Sequence, residues 1–201
     1  QRFDVLGEML NTGFLARFLP DFEAVINRIQ FDQYHLYPVG RHSLRTVRLL
    51  KTLGSREHAD EDALSYQVYR EVKHRKLLFW AALLHDIART GKHHDRAGAR
   101  LLASHGFTRL APIVEAHMDL EVDGEQPLDE IQVVYLADKL VIGDQIADLE
   151  QRFALKMEKY GLDPVAVAAI QRRRDSARCI RDKVERVTGS DIHTILESTE
   201  S

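Results

Sequence analysis

The chain has 201 residues, 44% of them hydrophobic and 29% charged, with a net charge of -3 at neutral pH. That length is enough for one sizeable core in a single globular domain, and the slight acidic excess argues against nucleic acid as a partner, which calls for a basic surplus. The single Cys179 excludes an internal disulfide framework and suits a reducing compartment; with no signal peptide and no apolar run near the roughly 20 residues of a membrane span, a cytoplasmic protein with no membrane partner is expected.

Residues 2–12 and 21–30 carry apolar residues at three and four spacing and predict two amphipathic helices, with Gly13 stopping the first and Pro20-Asp21 starting the second. The aromatic stretch FDQYHLYPVG at 31–40, broken by Pro38 and Gly40, reads as an ordered loop. Residues 41–53 resume the helical period, with Leu44, Val47 and Leu49 or Leu50 inward, and Gly54 ends that helix. The charged stretch 55–76 reads as a surface helix or excursion. It leads into Leu77–Ala88, LLFWAALLHDIA, an apolar run of helical length that closes on His85 and Asp86. A glycine-punctuated turn, ARTGKHHD, precedes a helix from about His93 to Ser104, and Pro112 opens another, PIVEAHMDL. After an acidic loop, IQVVYLADKLVIG at 131–143 reads as helix in spite of its β-branched residues, because no second strand stands ready to pair with it. The tail predicts two long amphipathic helices, 144–160 and 164–187, joined by Gly161-Leu162-Asp163.

Burying the carboxylate of Asp86 and the imidazole of His85 at the end of an apolar run is costly unless each has a strong partner. A metal ion is one such partner, and a local cap or hydrogen bond is the plainer one. Neighbours on a helix point about 100° apart, so the two would meet one ion only from the shared edge of their faces, with other helices supplying the remaining ligands. His42, His94, His117 and Asp138 also stand in apolar helical contexts. Each alone reads as well as a hydrogen-bonded core residue, and Asp138 beside Lys139 as a surface pair. Together His42, His85, Asp86 and Asp138 offer two imidazoles and two carboxylates, a mixed set suited to a divalent ion such as Mn, Fe, Mg, Zn, Co or Ni.

RHSLR at 41–45, AALLHDIA at 81–88 and LADKL at 136–140 carry, in order, a histidine, a His-Asp dipeptide and an aspartate. In these motifs, over roughly residues 35–145, the chain resembles the HD superfamily of metal-dependent phosphohydrolases. His94 in HHDRAGA and His117 in VEAHMDL fall where members with a two-metal centre carry two further histidines. The resemblance implies an all-α, compact multi-helix bundle with the metal site between helices. Residues 35–201 would form the HD domain with its C-terminal helices, and residues 1–34 a helical segment packed on it. It also implies hydrolysis of a phosphomonoester or phosphodiester with one or two divalent ions as cofactor. His42, His85, Asp86 and Asp138 would hold the first ion, and Asp86, bridging, with His94 and His117 the second. Arg45, Arg89 and Lys92 join Asp86 as the catalytic candidates, placed to contact phosphate; solvated surface is the alternative for each of the three.

A narrower likeness covers LGEMLNTGFLARFLPDFEAVINRIQFDQYHLYPVGRHSLRTVRLL, which resembles the stretch leading into the HD domain of bacterial PII uridylyltransferase/uridylyl-removing enzymes. It implies a phosphorylated small molecule or a nucleotidylated protein as partner. A fused domain ahead of Gln1 would suit a chain that does not begin with Met. The chain departs from that family in reaching its LAD aspartate 21 residues after His117 and in carrying no ACT-type region afterwards. The competing reading is a non-catalytic nucleotide-binding or protein-docking regulatory domain, for which the basic run QRRRDSAR at 171–178 is a candidate face. Homo-oligomerisation stays open.

Overall fold

In the N-terminal part, the left-handed turn at Gly13 (φ 71°) splits the apolar pattern into α1 (Val5–Asn11) and α2 (Phe14–Phe18). Pro20 then sits in the first turn of α3 (Pro20–Ile26), where its missing N–H is not needed. The computed structural model describes residues 5–32, 35–52, 68, 71–89 and 93–197. Leu15, Phe22, Val25 and Ile26 join the same buried cluster as the helices that follow.

The stretch expected as a loop is instead an antiparallel hairpin. β1 (Ile29–Asp32) pairs with β2 (His35–Pro38), Ile29 opposite Pro38 and Asp32 opposite His35. Its isoleucine, phenylalanine and tyrosine suit a pleated ladder, and the pairing ends α3 four residues before the expected boundary at 30. The chain turns at once into α4 (Val39–Thr52). Gly40 is required there, because a Cβ at that position would meet the Ile26 carbonyl oxygen at 2.9 Å and its side chain at 2.8 Å. The expected surface helix at 55–76 lies largely outside the described residues; Val68 and Val72, which are described, are buried.

The central run forms α5 (Arg75–Leu84), shorter than the predicted helix: His85 occupies the C-cap and 85–88 form a turn closed by Ile87 N–H to Leu84 O and Arg89 N–H to Asp86 O. After α6 (His94–Ser104) and α7 (Ala111–Ala116) comes α8 (Glu130–Lys139), whose residues from Gln132 onward are all buried. Asp129 caps α8 by accepting from Gln132 N–H. With α4, α5, α7 and α10 packed around it, α8 forms the centre of the core.

Here a second expectation is corrected. Residues 141–142 leave the helix as β3 (Val141–Ile142) and pair with β4 (Gln145–Ile146) across Gly143-Asp144, Gly143 taking φ 62°. The missing strand partner was the QI pair two residues on, and a Gly-Asp link with positive φ at its first residue is a hairpin turn. The tail helices are α9 (Leu149–Tyr160) and α10 (Pro164–Thr188), the latter capped by Asp163 and ended by Gly189 in the left-handed region. A further short helix, α11 (Ile192–Glu197), buries Ile192, Ile195 and Leu196. Among the described residues the fold is thus all-α apart from two small hairpins, and no described helix is long and apolar enough to cross a membrane.

Candidate metal centre

His85 and His117 occupy equivalent places, the C-caps of α5 and α7. A helix end leaves carbonyls without intrahelical partners, and each histidine takes up one: His85 Nδ1 lies 2.7 Å from Ala82 O and His117 Nδ1 2.6 Å from Val114 O, three residues back in both cases. His42, at the end of the first turn of α4, does the same through the β3–β4 turn, with Nδ1 at 3.0 Å from Gly143 O. A carbonyl only accepts, so Nδ1 carries the hydrogen on all three rings and Nε2 is left with its lone pair directed inward. His94 is the first residue of α6, and His93 before it adopts a left-handed conformation (φ 59°) that a non-glycine residue takes at a cost.

These rings converge on two buried carboxylates. Nε2 of His42 lies 3.0 Å from Asp138 Oδ1, and Nε2 of His85 lies 3.5 Å from both Asp138 Oδ1 and Asp86 Oδ2. On the other side, Asp86 Oδ1 is 3.2 Å from His94 Nε2 and 3.6 Å from His117 Nε2, while the two histidine nitrogens are 3.2 Å apart. Ligand atoms of His42, His85 and Asp86 lie within 4.8 Å of one another, and so do those of Asp86, His94 and His117. Asp86 is common to both sets. All six residues expected to hold metal therefore meet in one place.

The arrangement fits a divalent cation. His85 Nε2 and Asp86 Oδ1 are fully buried yet make no hydrogen bond, and lone pairs facing one another and facing carboxylates repel unless a positive charge stands among them. Three helix C-termini, those of α5, α7 and α8, converge here with the partial negative charge that favours cations. The electrostatics of the buried groups point the same way. Burial resists charge on His85, but the carboxylates of Asp86 and Asp138 outweigh it and raise its pKa. Burial likewise opposes the Asp86 carboxylate, and His85, Arg89, His117 and His94 more than compensate, holding it well below the usual range. Asp138 is lowered well below that range by Lys139, His42 and His85 against the same burial. His117 is lowered, mainly by burial. The centre thus keeps two anionic carboxylates in the core, and either protons on histidine or a metal ion can neutralise them.

Residues that the sequence reading passed over complete the support. Lys139 is buried, not on the surface: its Nζ donates to Asp138 Oδ2 at 2.6 Å and to His117 O at 2.7 Å, tying the two halves of the centre together. A lysine at the end of the apolar YLADK was the available signal. Arg152 donates from α9 to Asp138 O at 2.9 Å and to Val141 O. Gly143 orients His42 through its carbonyl, which the VIGDQI turn pattern could have indicated.

Of the expected phosphate contacts, Arg89 is half-buried, pairs with Asp86 Oδ2 and lines the cavity outside the centre. Arg45 is half-buried one turn from His42, with its Nε shielded from solvent, and is not part of that cavity's lining. Lys92 lies outside the described residues. The cavity, about 650 Å³, opens beside His42 and Asp138 and runs along α9.

Comparison with known proteins agrees with this geometry. Bifunctional uridylyltransferase/uridylyl-removing enzymes are similar to the chain: that of Haemophilus influenzae (strain PittEE) is 33% identical over 124 residues, covering 57% of this chain and 14% of the relative. The enzyme of Azospirillum brasilense is 42% identical over 97 residues, 48% of this chain and 10% of the relative. That of Rhodospirillum rubrum is 34% identical over 140 residues, 64% and 15%. The chain spans no more than 15% of the length of these relatives. No solved structure matches it. The profile of the HD domain matches residues 39–142, from the first residue of α4 to the end of β3. That span contains every one of the six converging histidines and aspartates, and the chain belongs to the HD domain family.

Proposed function

We propose that the chain is a metal-dependent phosphoester hydrolase whose centre holds two divalent ions, one on His42, His85, Asp86 and Asp138 and one on Asp86, His94 and His117. The observation that carries this reading is the sharing of Asp86 between two buried ligand sets. A bound divalent ion lowers the pKa of water toward neutrality and neutralises charge on phosphate oxygens. The chain's own groups do the rest. Arg89, held on Asp86, faces the cavity as a donor to a phosphate oxygen. Lys139 fixes Asp138 and the His117 backbone, and Gly143 fixes the His42 ring. The relatives' names support a nucleotide or nucleotidylated substrate, with removal of a uridylyl group as the specific case.

The test is hydrolysis of bis(p-nitrophenyl) phosphate by protein loaded with Mn, Fe, Co, Ni, Zn or Mg in turn, followed by release of UMP from a uridylylated signalling protein. Turnover that disappears in Asp86→Asn supports the proposal. No turnover of any phosphoester at full metal occupancy overturns it in favour of a non-catalytic nucleotide-binding domain.

A further inference from the structure

The cavity does not end at the metal centre. It continues along α9 and the start of α10, past Arg152 and Lys156 to Leu155, Tyr160 and Ile170. Residues 149–160 lie beyond the segment that matches the family, so nothing in that match assigns this extension.

Its charge is unusual. Six cationic side chains line the cavity against two carboxylates, Asp138 and Asp148. Three of the cations are paired, Lys139 with Asp138, Arg89 with Asp86, and Arg173 with Asp119, and a fourth, Lys159, lies over the Tyr160 ring, 5.3 Å from its centroid. Arg152 donates to two backbone carbonyls, which leave its charge uncancelled, its Nε is buried without a hydrogen bond, and its one carboxylate neighbour among the described residues, Asp138, is already paired more closely by Lys139. Lys156 pairs with no carboxylate among the described residues; its ammonium lies 5.9 Å from the centroid of the Phe153 ring. Lys156 is one helical turn beyond Arg152, about 6 Å along the axis, and Arg152 itself reaches to 3.9 Å from Asp138 Oδ2.

We propose that Lys156, with Arg152 beside it, forms an anion subsite that takes a second phosphate of the substrate, about one helical turn beyond the phosphoester at the metal centre. Lys156 has no carboxylate of its own among the described residues, and Arg152 shares Asp138 with Lys139, so the pair keeps a surplus of positive charge for a phosphate. Leu155, Tyr160 and Ile170 supply apolar surface for a sugar and base, so the ligand class is a nucleoside bearing phosphates at two positions. Burial, and then the like charges of Arg152 and Lys139, lower the Lys156 pKa well below its ordinary value, a penalty that a bound anion relieves.

The inference rests on the hydrolase reading for the role of the first phosphate, and the experiment separates the two. Titration calorimetry of the metal-loaded protein compares thymidine 3′,5′-bisphosphate with thymidine 5′-monophosphate, in the parent chain and in Lys156→Gln. The bisphosphate binds more tightly than the monophosphate to the parent, and Lys156→Gln weakens it by about tenfold while changing the monophosphate less than about twofold. Equal affinity of the two ligands for the parent, or equal weakening of both in the variant, overturns the subsite. Turnover is then read separately with the p-nitrophenyl 5′-esters of thymidine and of thymidine 3′-phosphate. Absence of turnover with the bisphosphate preference intact sinks the hydrolase reading and leaves the subsite standing. Circular dichroism of Lys156→Gln confirms the fold, and Lys156→Arg restores the preference if charge is what the subsite requires.

Discussion

At the scale of single residues, Asp86 is the position on which the centre depends, because one carboxylate serves both ligand sets. Loss of an outer partner alone is worth roughly 10–100-fold in metal affinity, so Asp86→Ala is expected to cost more than that, with metal content by mass spectrometry falling far below stoichiometric. Unchanged occupancy would refute the assignment. His94 and His117 separate one ion from two. Their double replacement by alanine is expected to lower the metal stoichiometry from about two to about one, and a stoichiometry of one in the metal-replete parent chain contradicts the binuclear centre. Lys139 carries a different burden. Removing a buried cation takes from Asp138 its shortest ion pair, leaving His42, His85 and Arg152, and frees the His117 carbonyl, so Lys139→Met is expected to destabilise the metal-free protein by about 1–3 kcal/mol, measured by denaturant unfolding.

At the scale of elements, ring orientation follows from how helices end. Short helices α5 and α7 stop at a histidine that hydrogen-bonds its own last turn, and this turns Nε2 toward the metal centre. The position of α4, and with it His42, depends on Gly40 against the α3 carbonyl. A backbone atom cannot yield as a side chain can, so Gly40→Ala is expected to cost about 1–3 kcal/mol and to lower metal affinity as α4 shifts. Retention of parental stability and affinity would mean that α3 moves instead without consequence. Gly98 plays a softer version of this part between α6 and α7, its nearest neighbour being a Val114 methyl at 3.2 Å from a built Cβ.

For the whole molecule, two stability effects separate the centre from the scaffold. A ligand that binds only the folded state stabilises it in proportion to the logarithm of its concentration over Kd; Mn addition is therefore expected to raise the Tm of the parent chain and to leave Asp86→Ala, which lacks the carboxylate common to both sets, nearly unmoved. Away from the centre, Arg173 donates twice to Asp119 and joins α10 to the segment after α7. The Asp119 carboxyl is held below its ordinary 3.8 chiefly by that hydrogen bond, so the pair stabilises at pH above that value and the contribution is lost as pH falls through the depressed pKa. With the Asp119 side chain 60% exposed, screening limits the effect to about 0.2–1 kcal/mol. The stability gap between the parent and Asp119→Asn is expected to hold from pH 7 to about pH 5 and to narrow below 3.8. A constant gap would show that the carboxylate's charge is not the cause.

Periodicity, glycine and proline punctuation were enough to read the helices in the sequence, because an amphipathic helix writes its buried face locally at three and four spacing. The His and Asp positions were legible for a related reason: ionisable groups set into apolar runs stand out one at a time. What one dimension hides is partnership. The pairing of 29–32 with 35–38 and of 141–142 with 145–146 involves segments too short for a period to declare itself. Whether Lys139 faced water or Asp138 depended on α8 being surrounded on all sides. The tautomers of His42, His85 and His117 were set by carbonyls at Gly143, Ala82 and Val114, one of them 101 residues away. Sequence by itself determined which histidines and aspartates stand in apolar surroundings and near which helices they lie. Only packing decided which atoms face one another, since distance and desolvation, on which the electrostatics of a metal centre depends, come into being when the helices meet.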